Sequence, residues 1–171
     1  MVPDILKEIP DFKLKIAYGW KTFVLGYGDN PEQMAWKRKM EELMRQPGVE
    51  ELGRITKKEL HRLHQESAVH AYYCTFEEIN CISVLEAQLN GNYPVTTDYA
   101  ALIETNIYGE RIKGEVRDEK TAEAYKQALI SRLKRPKSPD YLKTMSEGIS
   151  EGYQVQKIAK LWTDVFKKGK K

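Results

Sequence analysis

Two kinds of pattern take turns along this chain, and their order constrains the fold more than any other feature. Residues 12–18 alternate between apolar and polar side chains and stop at Gly19, which predicts a strand. Residues 49–55, 68–74 and 94–97 read as further short strands, and Ile112 falls in a brief extended piece. Between them, Pro31 opens a helix carrying Met34, Trp36, Met40, Leu43 and Met44 on one stripe, and Pro47-Gly48 stops it. Thr56-Lys-Lys-Glu59 is a capping box that opens a helix running to Ser67. Helices are also expected over 82–90, ending at Gly91, and over 99–107, 119–133, 140–148 and 152–167. Strands that alternate with helices run parallel, because each helix carries the chain back to the starting edge of the sheet. The expected fold is therefore α/β, a doubly wound parallel sheet with helices on both faces. The 171 residues suffice for a single domain, with 1–150 as its core and 151–171 as a closing helix and basic tail.

A doubly wound sheet binds ligands beyond the carboxyl ends of its strands, where helix N-termini point outward. The stretch CTFEEINCISVLEA, residues 74–87, occupies that place. Thr75-x-x-Glu78 and Ser83-x-x-Glu86 both have capping-box spacing, yet two helices cannot start eight residues apart. If the helix begins near Cys81, the free N–H groups of Cys81, Ile82 and Ser83 are able to hold a phosphate. Glu86, about one turn further in, suits a vicinal diol such as a ribose, since its two oxygens accept from both hydroxyls. Glu78 would then reach whatever the phosphate carries. Spacing alone leaves open the alternative that these glutamates only cap the helix.

Composition narrows the classes. The chain is 41% hydrophobic and 31% charged, with a net charge of +3 of which much sits in the terminal FKKGKK. No basic footprint of a nucleic-acid binder is present. Cys74 and Cys81 fit no zinc spacing and read as reduced thiols. His61, His64 and His70 lack the neighbours that would complete a metal site, so no metal is expected. The sequence has neither a signal-peptide pattern nor an apolar run long enough to span a bilayer, and the expected location is cytoplasmic. A weak peripheral contact with an anionic membrane is open to the tail, residues 167–171. The Gly-x-Gly of LGYGDN, residues 25–30, reads first as a turn.

Glu78, Glu86, Ala87, Gly91, Pro94-Val95, Asp98, Ala100-Ala101 and Glu104 stand in the order of a known signature. The stretch resembles the donor-binding signature of retaining glycosyltransferases with the GT-B fold, family 4 (group 1) in particular. YGWKTF and EINCI add a fainter resemblance to a phage and bacterial branch. The segment VEELGRITKKELHRLHQESAVHAYYCTFEE fits the family's strand, Gly, helix and strand, and GYQVQKIAKLWTDVF resembles its closing helix.

This resemblance implies a Rossmann-like half of a GT-B enzyme that binds a nucleotide diphosphate sugar, such as a UDP- or GDP-sugar, and needs no other cofactor. Glu86 would hold the ribose and Glu78 the hydroxyls of the sugar. The backbone of Cys81, Ile82 and Ser83, with Asn80 beside it, would hold the diphosphate. Arg54 and Ile55 would meet the base, and Gly26 and Gly28 would border the donor cleft. The family's Gly-Phe-Gly is Ile79-Asn80-Cys81 here, and its Gly-Gly is Ala100-Ala101. Its diphosphate-binding Arg and Lys would lie upstream of this sequence, and so would the N-terminal half that binds the acceptor, a glycan or another hydroxyl compound. On this reading the isolated domain is inactive. Three other readings remain: a non-catalytic nucleotide-sugar-binding module, a glycosidase using the two glutamates as an acid/base pair, and a nucleotide-sugar epimerase.

Overall fold

The computed structural model describes residues 1–168, and they divide into two compact units, 1–62 and 63–168. In the first, α1 (Val2–Glu8) precedes β1 (Leu14–Ile16), α2 (Lys21–Tyr27), α3 (Pro31–Met44) and β2 (Val49–Glu51). The two strands pair in parallel, with Leu14 opposite Val49 and Ile16 opposite Glu51. Asn30 caps α3 by accepting from the amides of Glu32 and Gln33 at 3.0 and 3.1 Å, and Pro31 fills the first helical position. The capping box expected at Thr56 forms. The Glu59 carboxylate accepts from the Thr56 amide at 2.7 Å, and the Glu59 amide donates to the Thr56 hydroxyl at 3.3 Å. It opens α4 (Lys57–Glu66).

The second unit holds β3 (Val69–Tyr72), α5 (Ile82–Leu89), β4 (Tyr93–Thr97), α6 (Leu102–Thr105), β5 (Glu110–Ile112), α7 (Glu119–Lys134), α8 (Pro139–Gly152) and α9 (Val155–Lys168). Its strands form a parallel sheet in the order β3-β4-β5. All five residues of β4 are buried. Since successive side chains point to opposite faces, both faces of this strand are covered. α5 and α7 both pack against β4, and α8 packs on α5. The fold is thus α/β with parallel strands flanked by helices, as the alternation of patterns implies. α5 ends where Gly91 takes a left-handed φ of +77°, a conformation open to glycine at little cost.

Buried polar groups brace this unit. Gln88 donates to the carbonyls of Val84 and Thr105 and accepts from the amides of Ile107 and Tyr108. All its hydrogen-bonding capacity is used, which joins α5 to the turn after α6.

Three expectations need correcting. Strand 49–55 stops at Glu51, and helix 99–107 shrinks to α6. Gly26, expected in a loop after the first strand, lies inside α2. That helix has no capping side chain and forms around ring packing: Phe23 meets Trp20 at 5.6 Å and Trp36 at 5.5 Å between centroids. The basic tail lies partly outside the described residues: Lys167 and Lys168 close α9, and 169–171 fall beyond.

Candidate functional site

β3 ends at Tyr72, and the chain then loops over residues 73–81 before entering α5. This loop leaves the carboxyl end of a parallel strand, the ligand side of such a sheet. Cys74 ties its start to β4, because the Thr97 hydroxyl donates to the Cys74 carbonyl at 2.9 Å. Cys81 ends the loop with its thiol buried against Cys74, Val84 and Leu102, and Tyr72 packs on the same cluster. Both thiols are free. Burial first, and then the nearby Glu78 carboxylate, push the Cys81 thiol up, so it is a protonated packing group and not a nucleophile.

Glu78 is held from two directions. The Tyr72 hydroxyl donates to its Oε1, and the Ala101 amide donates to its carbonyl at 3.2 Å. Burial, and then the bond to Glu78, push the Tyr72 hydroxyl up, which keeps it protonated as a donor. The other carboxylate oxygen, Oε2, is sealed from solvent with no hydrogen-bond partner.

Neither capping box of this stretch forms. No helix follows Thr75, and α5 begins at Ile82 with Cys81 as its N-cap and no capping side chain. Ser83 therefore sits inside the first turn, its hydroxyl 3.3 Å from the Cys81 sulfur. The first amides of α5 have no partner within the helix and carry the positive end of its dipole. Ile82, Ser83 and Asn80 are exposed there, and Glu86 lies half-buried one turn further in. So Glu78, Asn80, Cys81, Ile82, Ser83 and Glu86 come together on one loop and the helix it feeds.

The remaining sequence-predicted residues belong to the first unit. Arg54 and Ile55 follow Gly53, whose φ of +65° turns the chain after β2. Gly19, just past β1, approaches so closely that a Cβ there would stand 3.0 Å from the Cβ of Arg54. Both residues thus flank the carboxyl ends of β1 and β2. Gly26 is apart from them, in α2.

The model of the family described as glycosyl transferases group 1 matches residues 2–147. The chain belongs to the group 1 glycosyl transferases. A search of curated proteins returned no match. In this glycosyl transferase, the matched region takes in both units as far as α8 and every candidate residue named above.

Tyr72 at the candidate site escaped the sequence reading, and the backbone angle at Ala100 was not foreseen. Tyr72 is the last residue of β3, and its place at the strand end was the available signal. Ala100 takes a left-handed φ of +48°, uncommon for a residue with a Cβ. The turn it makes delivers the Ala101 amide to the Glu78 carbonyl. An alanine in that conformation carries a cost that spacing did not reveal. Among the described residues, no group of three or more His, Cys, Asp and Glu side chains converges as a metal site would require.

Proposed function

We propose that the 73–86 segment binds a nucleotide diphosphate sugar and that the transfer proceeds with retention. The observation that carries this reading is the pairing of an uncapped helix start at Cys81 with a Glu78 carboxylate that Tyr72 holds beside it. The amides of Cys81, Ile82 and Ser83 offer a diphosphate the hydrogen bonds and partial charge it needs. Glu86 would accept from the ribose hydroxyls. A sugar hydroxyl would donate to the Glu78 carboxylate, with Tyr72 fixing its position. Glu78 orients the donor in this scheme and forms no covalent bond. Rate then comes from positioning and from stabilising the leaving diphosphate. Asn80 would flank the phosphates, and Arg54 and Ile55 are assigned to the base.

The same reading extends to family 4 and its phage and bacterial branch. It assigns acceptor binding and the diphosphate-neutralising cations to an N-terminal half, makes the two units one donor-binding domain, requires no metal and places the reaction in the cytoplasm. The departure Ile79-Asn80-Cys81 bears on donor choice. Side chains where the family has glycine narrow the approach to the phosphates and favour a smaller or differently posed donor.

Thermal melting against UDP, GDP, ADP and their sugars tests the proposal. A ligand at ~100 times its Kd adds about 2.7 kcal/mol to the stability of the state that binds it. For a chain of this size that is a rise of roughly 5–10 °C. Glu86→Ala is expected to abolish the rise. Glu78→Ala is expected to keep the rise for the bare nucleotide and to lose the increment that the sugar adds. No rise with any nucleotide at millimolar concentration contradicts donor binding. Variants that bind as well as wild type but melt lower would assign both glutamates to helix stability alone.

A further inference from the structure

Residues 71–110 hold six carboxylates, Glu77, Glu78, Glu86, Asp98, Glu104 and Glu110, and not one Lys, Arg or His. The whole chain has 28 Lys and Arg in 171 residues, so a gap of forty far exceeds the average spacing of about six. Both groups assigned to the donor, the start of α5 and Glu78, fall inside this gap. Two of the six carboxylates are neutralised from outside it: Arg111 pairs with Asp98 at 3.3 Å, and Arg132 with Glu110 at 2.9 Å. Glu77 and Glu78 instead take hydrogen bonds from the hydroxyls of Tyr99 and Tyr72. A hydroxyl is a neutral donor, so it fixes a carboxylate and leaves the charge in place. Arg117 comes near the Tyr99 end, where Glu115 offsets it. The loop that bears Glu78 therefore presents fixed negative charge with no cation of its own.

Such a loop discriminates between sugars by charge. A neutral sugar has hydroxyls to donate to Glu78. A uronic acid sugar brings a second carboxylate within a ring's width of the first, and like charges at that range weaken binding. The amides of Cys81, Ile82 and Ser83 cannot compensate, because the diphosphate occupies them. The cations assigned to the N-terminal half are taken up by the diphosphate as well. We infer, on the strength of the donor binding proposed above, that the donor carries an uncharged sugar and that Glu78, fixed by Tyr72, rejects an acidic one.

UDP-glucose and UDP-glucuronate differ only at C6, a hydroxymethyl group against a carboxylate, and GDP-mannose and GDP-mannuronate are the matching guanosine pair. Calorimetric titration of the full chain should give a Kd about tenfold or more weaker for the uronate of whichever pair binds. Raising the salt from about 50 to 500 mM should shrink that gap, while the diphosphate, common to both members, leaves the ratio alone. Glu78→Gln keeps the shape and removes the charge, and should bring the two members within about threefold. Tyr72→Phe keeps the charge but frees the side chain, and should narrow the gap by weakening the neutral member. Equal or tighter binding of the uronate by the wild-type chain overturns the inference while donor binding stands. A gap that persists unchanged in Glu78→Gln also overturns it and assigns the rejection to shape. If neither bare nucleotide nor any of the four sugars binds, donor binding itself fails and the inference falls with it.

Discussion

The two units of this transferase hold themselves together differently. In residues 1–62 the one fully buried hydrophobic side chain is Ile5, 1% exposed. Every other such side chain among the described residues lies in the second unit, from Cys74 to Ile149. The first unit relies instead on half-exposed rings around Trp20 and on local caps at Asn30 and Thr56. The second has a strand buried on both faces and a buried glutamine with every bond satisfied. Since burial of apolar surface is the main favourable term in folding, the loop bearing Glu78 stands on the firmer scaffold. A site that must hold a carboxylate and helix amides in fixed geometry benefits from that.

The largest expected effect is in the second unit. Gln88→Ala leaves the amides of Ile107 and Tyr108 and the Thr105 carbonyl without partners, and should cost about 3 kcal/mol or more in urea unfolding. A loss below 1 kcal/mol would mean that this unit tolerates disruption as the first should.

His70 gives the next effect. Burial, and then neighbouring His64, push its imidazole down to about 4, and its Nε2 is sealed without a partner. The folded state therefore keeps the ring neutral while the unfolded chain takes up a proton below its ordinary value near 6.5. Stability is complete above that pH and falls as pH drops toward 4, by about 2 kcal/mol at pH 5. Unfolding curves between pH 7 and 5 should show the decline, and His70→Leu should flatten it. An unchanged slope in that variant would assign the decline to other groups.

In the first unit, Thr56→Ala removes the hydroxyl half of the capping box and should cost about 1 kcal/mol. Trp20 and Trp36 fluorescence reports the change locally. The smallest effect has the opposite sign. Ala100→Gly relieves a left-handed alanine and should stabilise the second unit by about 0.5–1 kcal/mol. Destabilisation there would show that the alanine methyl group packs usefully.

Much of the fold was legible because its signals are local. Thr56-x-x-Glu59, Asn30-Pro31 and Gly91 each act within a few residues, and each does what its spacing implies. Ser83-x-x-Glu86 has the same spacing as Thr56-x-x-Glu59 and forms no cap. Its helix start is set instead by burial of Cys81 and Val84, a tertiary constraint that no short window contains. α2 was missed for a similar reason, since it depends on rings brought together from Trp20 to Trp36. At the site, the loop and its glutamates could be found from strand order and resemblance. The Tyr72 bond to Glu78 and the cost at Ala100 could not, because they depend on side-chain reach and backbone angle.

The central claim is that the start of α5 receives a nucleotide diphosphate. The most direct measurement follows the backbone amide resonances of the isotope-labelled chain during titration with UDP and GDP. Saturable shifts of the Cys81, Ile82 and Ser83 amides, lost in Glu86→Ala, are the predicted result. Binding that leaves those three amides unmoved, or no binding at millimolar nucleotide, would contradict it.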